Sequence, residues 1–179
     1  LVGAGDGDGV RKVCNEMAVR YKIPYVDLGC DIQIEDGKML AGGQVHVVIP
    51  GQTACLACSG AFDPSTAAQE LMDDERAVVQ AERGYVRGGR EQATPSITNL
   101  NAVTGQLGIA ALLALVHGPR LGTWDYAHYD QITARTLTAQ AEPRPDCSLC
   151  GPGGVLGAGD ELPTQTADEP EWAQPEHVG

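Results

Sequence analysis

Two Cys-x-x-Cys pairs constrain this chain more than anything else in it. "TACLACSG" at 53–60 carries Cys55 and Cys58, and "RPDCSLCG" at 144–151 carries Cys147 and Cys150. Eighty-eight residues separate the two pairs, far more than in a compact zinc ribbon. Structural zinc takes four thiolate or imidazole ligands in a tetrahedron, and two such knuckles supply four sulfurs with little backbone strain. The pattern therefore predicts one structural zinc site at Cys55, Cys58, Cys147 and Cys150, with no ligand position left for a substrate. Two independent redox pairs are the alternative. That reading needs a Cys-x-x-Cys at the start of a helix, where the dipole lowers a thiol pKa, and neither pair reads as preceding a helix. Cys14 and Cys30 read as small buried hydrophobes.

Paired thiols that bind metal suit a reducing compartment, so the expected location is cytoplasmic. "LVGAGDGDGV" at the start has no basic region followed by an apolar block, and no signal peptide is expected. The longest apolar run, "LGIAALLALV" at 107–116, is shorter than a membrane span and reads as a buried helix. The formal charge of −12 argues against nucleic acid or an anionic membrane as a partner. At 179 residues, one domain with a core of Val, Leu, Ile and Ala is expected, since aromatics make up only 4%.

The opening "LV" reads as the end of a buried strand. A helix from about Gly9 to Tyr21 follows, with Asp8 as N-cap and Val10, Val13, Cys14, Met17, Ala18 and Tyr21 as its apolar face. Arg20 and Lys22 suit its negative end. Pro24 stops it, and "YVDLG" at 25–29 reads as a strand, so the grammar is parallel β-α-β. Ile32 and Ile34, then an Asp36-Gly37 turn, then Val45, Val47 and Ile49 read as an antiparallel hairpin. Residues 59–93 form a polar crossover segment with a short helix over 65–82. Thr94 and Pro95 open a long apolar helix ending near Gly118, to be covered by the sheet, a partner subunit or both. "GTWDYAHYD" and "TARTLTAQA" are terminal strands. Residues 152–179 are expected to be an acidic, disordered tail.

Taken together, "GDGDGVRKVCNEMAVRYKIPYVDLG", "GGQVHVVIPGQTACLAC", "ATPSITNLNAVTGQLGIAALL" and "RPDCSLCG" resemble the second half of the ThiF/MoeB/HesA E1-like adenylyltransferases. The resemblance covers about residues 1–151. Asp6, Arg11 and Asn15 fall on the family's Asp-Asn-x-x-x-Arg…Asn pattern, with Gly7 in place of its Asn. Pro50, Gly51, Thr53, Cys55 and Cys58 match its Pro-Gly-x-Thr-x-Cys-x-x-Cys run. The resemblance implies an α/β, Rossmann-like fold and a homodimer. It also implies ATP- and Mg²⁺-dependent activation of the C-terminal carboxylate of a ubiquitin-like or sulfur-carrier protein, or of a peptide. Asp6 would serve Mg²⁺–ATP, Gly7 would lie against the nucleotide, and Arg11 would reach it from the first helical turn.

Two departures shape that expectation. The family's glycine-rich phosphate loop would precede Leu1, and "GAGDGDG" does not replace it: the spacing is wrong and its aspartates would repel phosphate. No cysteine occurs between Cys58 and Cys147, which argues against a covalent intermediate on the crossover. Arg83, Arg87 and Arg90 there would meet an extended partner tail, or form a solvated loop. The rival to the enzyme reading is a zinc-stabilised, non-catalytic scaffold that binds a ubiquitin-like partner. No catalytic side chain is assigned.

Overall fold

A computed structural model describes residues 1–72, 97–118 and 124–161. β1 (Val2–Gly3) leads through a glycine-rich turn into α1 (Asp8–Tyr21), which returns the chain to β2 (Tyr25–Glu35). β1 and β2 pair in parallel, with Val2 opposite Val26, so the expected β-α-β unit is present. Lys22 closes α1 in the left-handed region (φ 53°), and its amide donates to the Ala18 carbonyl. Asp8 is not the N-cap. That position is Gly7, which has no capping side chain.

β2 does not stop at Gly29. It runs on to the Asp36-Gly37 turn, where both residues have positive φ, as a tight hairpin of this kind requires. β3 (Lys38–Val48) pairs back along it, from Glu35 opposite Lys38 to Tyr25 opposite Val48. β4 (Tyr126–Asp130) and β5 (Arg135–Ala139) complete an antiparallel extension, giving the order β1-β2-β3-β4-β5. The sheet is therefore mixed, with one parallel pair among four.

Strand alternation sends side chains to two cores. Tyr25 and Val48 join Ala18 and Val19 of α1 on one face. Val26, Val45, Val47 and Ala127 join Ala111 on the other. The first face also takes α2 (Leu56–Ser59) and α3 (Pro64–Glu70), the part of the expected 65–82 helix that falls among the described residues. The second takes α4 (Thr98–His117). Thr94, Pro95 and the crossover arginines Arg83, Arg87 and Arg90 lie outside the described residues.

The sequence pattern misplaced the buried face of α1. Val10, Met17 and Tyr21 are exposed, while Asn15, Glu16 and Arg20 are buried. Arg20 is not a solvent-facing complement to the helix dipole. Its Nε donates to Glu16 Oε1 at 2.9 Å, and both side chains are almost wholly buried. The cause is the chain that follows Cys150. Gly157 and Gly159 donate their amides to the carbonyls of Val19 and Arg20, and Arg20 Nη1 donates to the Gly159 carbonyl. Tyr21 also donates its hydroxyl to Asp160. Residues 152–161 thus lie docked against α1 rather than beginning a disordered tail at 152. The rest of that tail lies outside the described residues.

At 20 residues, α4 is long and apolar enough to cross a membrane by length and composition, which corrects the reading that no stretch reaches that size. Here one side of it seats on the sheet through small residues. Gly108 meets Leu28, and Gly43 meets Thr104, so closely that an added Cβ would sit 2.1 and 1.8 Å from the facing side chains. The Cys30 thiol donates to Thr104 Oγ1 at 3.2 Å in the same seam. The opposite side, with Ile109, Leu112, Leu113 and Val116, is exposed. Gly43→Ala is expected to push helix from sheet and cost about 1–3 kcal/mol. Gly105→Ala, where a Cβ meets nothing, should stabilise by roughly 0.5–1 kcal/mol. Urea unfolding of the two variants checks the contrast in sign.

Candidate metal centre and the polar cluster beneath it

The two knuckles come together. Their four sulfurs all lie within 4.8 Å of one another. Cys55 Sγ is 3.7 Å from Cys147 Sγ and 3.8 Å from Cys58 Sγ, and Cys58 Sγ is 3.3 Å from Cys150 Sγ. None of the cysteines is in a disulfide. A Zn–S bond of about 2.3 Å in a tetrahedron sets sulfurs about 3.8 Å apart, so the spacing fits one ion held by four thiolates.

The surroundings fit a dication as well. Burial pushes the Cys55 thiol up to about 11, with neighbouring thiols adding to the rise. Burial also raises Cys147, but the amides of Cys150 and Leu149 and the adjacent thiols more than offset it and bring that thiol to about 7. Burial drives Cys150 well above its usual range. Four ionised thiols cannot share this volume without a cation between them. The Arg144 amide donates to Cys58 Sγ at 3.4 Å, the kind of contact that orients a thiolate ligand. Gly151 closes the second knuckle: its amide donates to the Cys147 carbonyl at 3.0 Å, and an added Cβ would lie 2.5 Å from that same oxygen.

One expectation about the first pair fails. Cys55 is the N-cap of α2, so that pair does open a helix. The helix is a single turn, and burial raises the Cys55 thiol instead of lowering it. A redox reading therefore gains nothing from the position.

A buried polar cluster lies where α1 packs on β2 and on the first knuckle. Asn15 Oδ1 accepts from the Leu56 amide at 2.9 Å, tying α1 to the first knuckle. Asp27, fully buried on β2, accepts from the Tyr25 hydroxyl at 2.6 Å. Burial raises its carboxyl pKa, while the Tyr25 bond and Arg11 lower it in part. Arg11 Nε stands 3.7 Å from Asp27 Oδ2, and Arg11 Nη1 donates to the Ala61 carbonyl at 3.1 Å. Its guanidinium lies on Gly29, where a Cβ would sit 1.6 Å from Nη2. Asp6 is exposed in the turn after β1. Beside it, Glu70 of α3 fills the space next to Gly7, and its Oε2 accepts from the Gly9 amide at 2.7 Å. Asp8 Oδ2 accepts from the Asp63 amide at 3.0 Å, so both ends of α3 are tied to the first turn of α1.

His46 is opposite Asp27 in the strand register and is 7% exposed. Burial, and secondarily the positive Arg11, lower its pKa to about 4. The folded state therefore refuses a proton that the unfolded state accepts below about 6.5. Stability is complete above that pH and falls as pH drops toward 4, by up to about 3 kcal/mol. Asp27, with its raised pKa, works in the opposite sense. Urea unfolding at stepped pH should show a steeper loss between pH 6.5 and 4 in the wild type than in His46→Leu.

No family model matches the sequence, and neither does any curated protein. Solved structures do match. MccB of E. coli aligns at a TM-score of 0.52 and 17% identity over 84% of this chain and 39% of its own. The form described as E. coli MccB with MccA-N7isoASN aligns at 0.51 and 16% identity, covering 84% of this chain and 40% of its own. The form with ATP aligns at 0.50 and 16% identity, covering 83% and 39%. The chain thus spans about two fifths of the length of these neighbours. At such identities the likeness shows the fold alone: a mixed α/β arrangement shared with part of MccB, which in this chain carries a four-cysteine cluster able to hold a metal.

Proposed function

We propose that this chain is the metal-bound part of an ATP-dependent adenylyltransferase that activates the C-terminal carboxylate of a peptide or small protein. The observation that carries the reading is the E1-like fold shared with MccB, whose solved forms include complexes with ATP and with MccA-N7isoASN. In this reading the zinc at Cys55, Cys58, Cys147 and Cys150 is structural. Asp6 stands at the carboxyl end of a parallel strand, where ligands of such sheets bind. A substrate carboxylate oxygen would bond to the α-phosphorus of ATP as the bond to the bridging oxygen breaks and pyrophosphate leaves. Two anions meet in that step, so Mg²⁺ and cationic side chains must offset their charge. Asp6 would hold the Mg²⁺–ATP, with Gly7 and Arg11 beside it. A ubiquitin-like or sulfur-carrier protein is the finer substrate proposal, a Rossmann-like sheet the finer fold proposal, and the cytoplasm the proposed location. The exposed Ile109, Leu112, Leu113 and Val116 of α4 are the proposed homodimer surface.

One observation favours the scaffold reading instead. Glu70 already fills the space beside Gly7, and Arg11 is engaged by Asp27 and Ala61. ATP–pyrophosphate exchange by the complete natural polypeptide decides between the two. The enzyme reading expects exchange that depends on added carboxyl-terminal peptide and falls about a hundredfold in Asp6→Asn. Exchange that is absent with every peptide and carrier protein would leave the scaffold.

A further inference from the structure

Arg11 and Asn15 stand four residues apart on α1, so their side chains leave the same face of the helix. Both go to the first metal knuckle. α2 has only four residues, too few to persist as a helix alone. Yet it carries Cys58 and is capped by Cys55. Its first amide, that of Leu56, goes to Asn15 Oδ1, and Asn15 is fully buried. Just past its closing residue Gly60, the Ala61 carbonyl accepts from Arg11 Nη1. The two ends of the turn that carries the first sulfur pair are therefore held from α1.

Arg11 is also where the knuckle, the sheet and the Asp6 turn meet. Its own amide donates at 3.3 Å to the carbonyl of Gly7, the N-cap that follows Asp6. Its side chain is 12% exposed, and each part of the guanidinium faces protein. Nε faces Asp27 Oδ2, Nη2 lies on Gly29, and Nη1 is bonded to Ala61. A phosphate could reach it only by displacing the buried Asp27 carboxylate, which would then be left without its cation. Asp27 and Gly29 belong to the same strand, so the guanidinium is set by the sheet. A movement of the knuckle reaches the start of α1 through this one residue.

We infer that Arg11 is a positioning residue joining the metal centre to the Asp6 turn: it fixes the Cys55–Cys58 knuckle through Ala61 and does not itself touch the nucleotide. What the turn binds rests on the adenylation reading; the hold on the knuckle does not. Arg11 then stands behind the Asp6 turn instead of against a phosphate.

The first test uses the zinc-loaded full chain mixed with an excess of a coloured chelator, and follows zinc loss by absorbance. Arg11→Met combined with Asp27→Asn removes both charges together and keeps an acceptor for the Tyr25 hydroxyl, so no buried charge is stranded. Zinc loss about tenfold faster is expected, the counterpart of one lost hydrogen bond to a charged group. Arg11→Lys keeps a donor and the charge, and should recover most of the difference. Gly43→Ala, in the α4 seam on the other face of the sheet, is the control for general destabilisation and should lose zinc at the parent rate. The second test is pyrophosphate exchange by the complete natural polypeptide at varied ATP. The KM for ATP should rise about tenfold in the double variant and stay near the parent value in Arg11→Lys. Zinc loss in the double variant no faster than in Gly43→Ala overturns the inference. So does a raised KM in Arg11→Lys with zinc loss at the parent rate, the mark of a direct phosphate contact, and so does an unchanged KM in a double variant that loses zinc faster. Exchange absent from the parent, with zinc loss still quickened in the double variant, would sink the adenylation reading and leave the hold on the knuckle.

Discussion

Cys147→Ser should remove the metal and most of the fold's stability together. Metal analysis of the parent chain should find one zinc per chain, and the variant should carry almost none. The loss expected is on the order of 5 kcal/mol or more, because the binding free energy of a structural zinc is largely folding free energy. The sulfurs of Cys55 and Cys147 are both buried, and their residues belong to the same core as Tyr25, Val48 and Leu56. Releasing them exposes that core and its thiols at once. Cys30→Ser is the control. Its thiol serves only the helix–sheet seam with Thr104, and a hydroxyl can make the same bond, so about 1 kcal/mol or less should be lost. Equal melting temperatures for the two variants, or full metal content in Cys147→Ser, would remove the ion from the account.

Glu16→Ala should be the most damaging substitution outside the cysteines. It leaves Arg20 buried at 3% exposure with its charge facing the vacated site. Breaking one half of a buried pair typically costs about 3–5 kcal/mol. The lower end is expected here, since Arg20 keeps the Gly159 carbonyl. The paired change Glu16→Leu with Arg20→Met should recover most of the loss, because apolar side chains of similar size need no compensation. Chemical denaturation of the single and double variants measures the difference. A double variant as unstable as the single one would mean that Arg20 acts mainly through residues 157–159 and not through Glu16.

Much of the architecture was written in short-range signals. Asp36-Gly37 fixed a hairpin because only a turn with two positive φ values fits those strands. The β-α-β unit followed from apolar spacing, a proline and a second strand. The four sulfurs were identifiable because ligand chemistry depends on spacing within each knuckle. The errors share one physical origin, which is contact between residues far apart in the chain. Val10, Met17 and Tyr21 have the right spacing for a buried stripe, yet the segment after Cys150 docks on the last turn of α1, over Val19 and Arg20, and it is Arg20 that is buried there. Asp27 and His46 drew no attention in "YVDLG" and "VHVV", although a charged or titratable residue in a buried strand is a signal in its own right. Gly7 and Arg11 were placed by motif, but their surroundings, Glu70 on one side and Asp27 with Gly29 on the other, come from elements that no local pattern joins to them.

The joining of Cys55 and Cys58 to Cys147 and Cys150 has a consequence for the chain's continuity. An ion held by these sulfurs would tie two points 92 residues apart, so everything between them would be a loop whose ends are fastened independently of the peptide backbone. A protease nick anywhere in that loop should leave two fragments that co-purify, melt as one body and separate only when a chelator is added.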